Sequence, residues 1–142
     1  MILFGIPLLD PFENLTVSDY EKLFEVFGIQ PLAPLLSSFP VRHKYLDIGL
    51  AFGHRSIEPI LEATKVNQPF AVMSGIKPTG EFHLGTLQTA REVIYFQQQG
   101  ATAFYCIADV EAYEDNRIPF ERSQRYAVGN VADLLALGFD PR

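Results

Sequence analysis

The chain has 142 residues, a formal net charge of −6, 48% hydrophobic and 20% charged residues. That length and balance support a core of about one domain and exclude a basic nucleic-acid module, whose affinity rests on clustered Lys and Arg. The one cysteine, Cys106, excludes an internal disulfide and a multi-cysteine metal site. Within "AFYCIAD" it reads as a small buried hydrophobe in a reducing compartment. The apolar start "MILFGIPLLDPF" lacks a basic flank and is broken by Gly5, Pro7 and Pro11, and no run approaches the ~18 apolar residues of a span. A soluble cytoplasmic protein with no membrane partner is the expectation.

In chain order, "SDYEKLFEVFG" predicts a first helix. Ser18 and Glu21 form a capping box, Leu23, Phe24 and Phe27 an apolar stripe, and Gly28 a left-handed end. "HKYLDIGLAFGHR" predicts a short helix followed by a loop, with His43 and His54 as structural histidines packing near Tyr45 and Phe52 rather than a metal pair. Arg55 is expected to pair with Asp47 or Glu58. "SIEPILEATK" predicts a helix capped by Ser56, with Pro59 tolerable in the first turn. From Gln68 the pattern changes. "PFAVMSG" and "ATAFYCIAD" are short apolar runs that predict buried strands. "HLGTLQTAREVIYFQQQG" predicts a helix with Leu87, Ala90, Ile94 and Gln97 on one face, ended by Gly100. "EAYEDNR" reads as a solvated turn. "PFERSQRYAVGNVADLLALGF" predicts a helix from Pro119 with Ala127, Val131, Leu134 and Leu135 at helical spacing. Strand, Gly-rich turn, helix, strand, helix is the order of a parallel α/β sheet.

Chemistry concentrates in "GIKPTGEFHLGT", Gly75 to Thr86, at the strand-to-helix turn. Such turns lie at the carboxyl edge of the sheet, where open α/β folds bind ligands, and the helix start beyond offers unpaired N–H groups to an anion. Gly75, Gly80 and Gly85 let backbone and ligand approach without a Cβ between them. The spacing fits neither the dinucleotide fingerprint nor the phosphate-binding loop with its terminal Lys-Ser/Thr. His83 and Thr86, three apart, can share one face at the helix start and suit the charge of a transferring phosphoryl group.

"SGIKPTGEFHLGT" resembles the first signature of class I aminoacyl-tRNA synthetases, the "HIGH" motif after a Gly-x-x-Pro-Ser/Thr-Gly turn, with Thr86 at the second histidine position. "DPF", "DYEKLFEVFG", "GLAFGHRSIEPILEA", "ADVEAYED" and "RYAVGNVADLLALGFDP" make the chain similar to the archaeal and eukaryotic tryptophanyl type of that family. The resemblance implies an α/β fold: a mostly helical N-terminal extension over residues 1–67, then the first half of a Rossmann-like parallel-sheet catalytic domain over 68–142. It implies ATP-dependent activation of tryptophan and its transfer to tRNA(Trp), with Mg2+ carried by the ATP, no protein-only metal site, and a homodimer for the full-length protein. On this reading Gly75, Pro78, Thr79, Gly80, His83, Gly85 and Thr86 meet the nucleotide. Lys77 joins His83 and Thr86 as a catalytic cation, and Met73, Ser74, Cys106 and Glu111 form the amino-acid pocket. The family's second signature, a lysine loop like "KMSKS" that clamps the phosphates, would lie beyond residue 142, so this polypeptide alone is expected to have little activity. Two other readings fit the same residues: a non-catalytic binding module on the same fold, or another nucleotidyltransferase with this turn, such as a tyrosyl-type synthetase.

Overall fold

The computed structural model describes residues 24 and 27–141. The capping box of Ser18 and Glu21, with Leu23, lies outside them; Gly28 has φ +62, the left-handed conformation expected of it. Two compact units divide the chain at Ile57/Glu58.

In the first unit, β1 (Gln30–Pro31) pairs antiparallel with β2 (Gly53–His54), so part of the expected loop is a two-residue strand. Leu32 N–H extends the pairing by donating to the Phe52 carbonyl at 2.9 Å. A 3₁₀ helix, Ala33–Ser38, follows with Pro34 in its first turn, where a missing N–H costs nothing. Helix α1 (Lys44–Asp47) is capped by His43, whose Nδ1 accepts from Tyr45 N–H at 3.1 Å. The rings of His43 and Tyr45 lie 4.4 Å apart, and His54 Nδ1 accepts from Ile57 N–H at 3.2 Å, so both histidines serve local structure. Asp47 pairs with Arg42 at 3.3 Å rather than with Arg55. Ser56 is not the cap expected of it: its φ of 54 is left-handed, whereas an N-cap needs extended backbone.

The second unit begins with α2 (Glu58–Lys65) and continues through β3 (Ala71–Ile76), α3 (Leu84–Gln98), β4 (Thr102–Ile107), α4 (Asp109–Asn116) and α5 (Phe120–Ala136). The strands β3 and β4 pair in parallel, Ala71 opposite Thr102 through Ile76 opposite Ile107, and α3 lies across both. This is the α/β order read from the sequence. Its ends are set by local chemistry. Gly100, at φ +96, lets Ala101 N–H reach the Phe96 carbonyl and Gly100 N–H the Gln97 carbonyl, the Schellman close of α3. Gly138 closes α5 the same way onto Leu134 and Leu135.

The core of this unit joins Ala90 and Ile94 of α3 to Leu134 of α5, with Phe82, Tyr105, Leu137 and Phe139 around them. Gln97 completes the expected face of α3 through polar contacts: its Nε2 donates to the Asp140 carbonyl at 2.6 Å and its Oε1 accepts from Asp140 N–H at 2.9 Å. Two expectations are corrected. "EAYEDNR" belongs to α4, whose first turn carries Asp109 and Glu111, charges that favour a helix start. On α5 the buried face is Ser123, Asn130 and Leu134, while Val131 and Leu135 are exposed. No described helix is long and apolar enough to cross a membrane.

Candidate functional site

The signature loop runs from the end of β3 to the start of α3. Its histidine is the N-cap of that helix. His83 holds extended backbone (φ −139, ψ 177), and its Nδ1 accepts from Gly85 N–H at 3.2 Å and Thr86 N–H at 3.4 Å. With Nδ1 occupied as an acceptor, the proton of the neutral ring sits on Nε2, leaving an exposed N–H donor at the positive end of a 15-residue helix. A Cβ on Gly85 would lie 3.2 Å from His83 Cε1, so the glycine gives the imidazole its seat. Gly80 has nothing within 4 Å of where a Cβ would be, leaving its outer side open to a ligand.

Thr86 does not join His83 at the surface: it is 8% exposed, while His83 is exposed. Pro78 is fully buried and anchors the turn, and Thr79 N–H donates to the Lys77 carbonyl at 2.8 Å, tightening it. Lys77 Nζ meets Asp115 Oδ2 of α4 at 2.7 Å. That hydrogen bond is the main cause of a Lys77 pKa raised above its ordinary value; lost hydration opposes it, and the charges of Asp115 and Glu111 add to it. Glu111 and Asp115 are four apart, one turn of α4, so both face the lysine.

The strand residues expected to meet the amino acid divide by parity. Met73, Gly75 and Cys106 are exposed on one face of the β3–β4 pair, and Ser74 lies on the other. Phe104, opposite Met73 in the register, shares that exposed face, and Met73 is 77% exposed there. Cys106 is therefore exposed rather than buried. Beside His83 an open groove of about 460 Å³ is lined by Phe82, Leu84, Leu87, Asp133, Ala136 and Leu137. A larger hollow of about 680 Å³ on the first unit has Arg42 as its charged lining residue, already paired with Asp47.

Three residues of this region were missed by sequence reasoning. Asp115 was hidden because its segment read as a turn. Phe104 was folded into an apolar run without regard to face. Asn130, whose Nδ2 donates to the Gly80 carbonyl at 3.3 Å, gave no signal as one asparagine within a helix.

A sequence profile of the family described as tRNA synthetases class I (W and Y) matches residues 64–142. The tryptophan–tRNA ligase of Methanosarcina acetivorans is 39% identical over 134 residues, covering 94% of this chain and 31% of its own length. That of Hyperthermus butylicus is 40% identical over 139 residues, covering 93% and 37%. The crystal structure of tryptophanyl-tRNA synthetase from Aeropyrum pernix superposes with a TM-score of 0.76 at 39% identity, over 89% of this chain and 36% of that one. The Encephalitozoon cuniculi enzyme, solved bound to tryptophan, superposes at 0.76 with 26% identity, over 87% and 39%. The chain thus spans about a third of the length of the relatives it matches. A histidine-capped helix start after a parallel strand, within a match covering more than half the residues, leads to one conclusion: this chain belongs to the class I tRNA synthetases of the tryptophan and tyrosine group.

Proposed function

We propose that this chain supplies one side of the ATP and amino-acid site of a tryptophan–tRNA ligase. The observation that carries the proposal is His83 as the cap of α3, its Nδ1 held by two backbone amides and its other ring nitrogen presented outward. In the reaction, a tryptophan carboxylate oxygen attacks the α-phosphorus of ATP and pyrophosphate leaves. A terminal ribose hydroxyl of tRNA(Trp) then attacks the carbonyl carbon of the tryptophanyl adenylate, forming the ester and releasing AMP. His83 Nε2–H would hydrogen-bond a triphosphate oxygen as charge builds on it, a role in which one preorganised donor is worth about 3 kcal/mol. The open side of Gly80 and the α3 N-terminus would receive the rest of the triphosphate, and Mg2+ would enter with that triphosphate.

Lys77 would leave Asp115 for the phosphates or the amino-acid carboxylate; an exposed ion pair is weak enough to be exchanged. Met73, Cys106 and Phe104 offer an apolar face suited to an indole, with Glu111 at the adjoining end of α4. Tryptophan rather than tyrosine is favoured because the relatives near 40% identity are tryptophan ligases. A cytoplasmic homodimer accords with the same reading.

Tryptophan-dependent exchange of pyrophosphate into ATP by the full-length polypeptide carrying these residues tests the proposal. Exchange with tryptophan and far less with tyrosine is expected. No exchange with tryptophan would overturn it.

A further inference from the structure

The signature loop is thinly held by its own backbone. Among the described residues, the one backbone–backbone hydrogen bond within 77–82 is Thr79 N–H to the Lys77 carbonyl. Gly80 adds no side chain that could wedge the turn in place, and a Cβ there would meet nothing within 4 Å. Against this stands one contact from outside. Asn130, in the middle of α5 and 2% exposed, donates from Nδ2 to the Gly80 carbonyl at 3.3 Å, across 50 residues of sequence. A buried side-chain amide is costly unless its bonds are made, so the residue type is tied to this bond.

The bond also has a direction. It turns the Gly80 carbonyl toward α5. A carbonyl left free in a glycine turn can rotate to the open side, where its partial negative charge would oppose a triphosphate. We infer that Asn130 is a positioning residue for the nucleotide loop: by tying down the Gly80 carbonyl it keeps the loop's outer side receptive to phosphate and sets the approach of the chain to His83. This rests on reading the loop as the ATP site.

The test uses Asn130→Leu, close in volume but without a donor, in the full-length protein. Ser123→Ala is the control, since Ser123 is 0% exposed on the same face of α5 and its Oγ has no partner among the described residues. Pyrophosphate exchange gives kcat and KM for ATP and tryptophan, and amide hydrogen exchange reports the loop from Gly80 to Thr86. The KM for ATP should rise by about fivefold or more, the size of one net hydrogen bond, with that for tryptophan unchanged within about twofold. Loop amides should exchange faster in Asn130→Leu and stay as they are in Ser123→Ala. If Asn130→Leu does not fold, Asn130→Ser, too short to reach Gly80, takes its place under the same criteria. A folded variant with an unchanged KM for ATP overturns the inference. If the unsubstituted protein shows no tryptophan-dependent exchange, the ATP-site reading falls instead, and the loop amides decide alone: unchanged exchange in Asn130→Leu overturns the inference.

Discussion

Gly75 and Cys106 face each other across β3 and β4 so closely that a Cβ on Gly75 would sit 2.5 Å from the Cys106 carbonyl oxygen and 3.0 Å from its Cβ. Backbone cannot retreat there without parting the strands. Gly75 is therefore fixed by strand packing, whatever it does for a ligand, whereas Gly80 is under no such constraint. Gly75→Ala should destabilise the second unit by about 1–3 kcal/mol, the usual cost of forcing atoms into a packed site. Gly80→Ala should leave Tm unchanged or slightly higher and still weaken ATP binding. Thermal unfolding and the KM for ATP, measured on both variants, separate the two glycines. A Gly80→Ala protein with unaltered KM would remove Gly80 from the nucleotide site.

Asp115 holds Lys77 by an exposed ion pair, so its removal should act on the lysine more than on the fold. In Asp115→Asn the Lys77 pKa should fall back toward the ordinary lysine range, since the hydrogen bond to Asp115 is the main cause of its elevation. The linkage has a definite sign: a raised folded pKa adds stability that is complete at neutral pH and is lost only as the pH climbs through the lysine range. NMR titration of the Lys77 side chain is the direct measurement. An unshifted titration in Asp115→Asn would show that the pair does not hold the lysine in solution.

Glycine made much of this architecture legible. Gly100 after an apolar stripe states a backbone requirement, and the turn from Gly75 to Gly85 after an apolar run places a loop between a strand and a helix. Faces were harder to read. Val131 and Leu135 match a helical repeat as well as Leu134 does, yet α5 buries Ser123 and Asn130 in their stead. At Asn130 the reason is visible: the surface beneath is the polar backbone of the signature loop, and only a hydrogen-bonding side chain satisfies it. The strands β1 and β2 escaped notice because two residues apiece carry no periodicity. His83 stands out in the sequence as the loop's one histidine, but its role as a cap emerges only from the geometry at Nδ1.

That geometry lets the structural and chemical duties of His83 be separated. Asparagine is a strong N-cap and can accept from the same amides, but it lacks a donor at the reach of Nε2. His83→Asn should keep Tm close to that of the unsubstituted protein, whereas His83→Ala should lose about 1 kcal/mol of helix stability. Both should reduce tryptophan-dependent pyrophosphate exchange by about 100-fold or more. Unimpaired exchange in His83→Asn would confine the histidine to capping.

Glu92, on α3, offers a pH test of the second unit. Burial raises its carboxyl pKa above the ordinary 4.5, and a hydrogen bond from Gln88 offsets part of that rise. A raised carboxylate pKa means the folded state holds its proton more tightly than the unfolded chain does. Folding stability is therefore fully supported below pH 4.5 and declines as the pH rises through the elevated value. Above that elevated value the ionised Glu92 carries a desolvation penalty that a neutral amide avoids. Glu92→Gln should accordingly unfold at a higher temperature than the unsubstituted protein at pH 7, and this advantage should shrink and vanish as the pH is lowered into the ordinary glutamate range. Calorimetric Tm values across that interval provide the check. A Tm difference independent of pH would mean that packing, not charge, separates the two side chains.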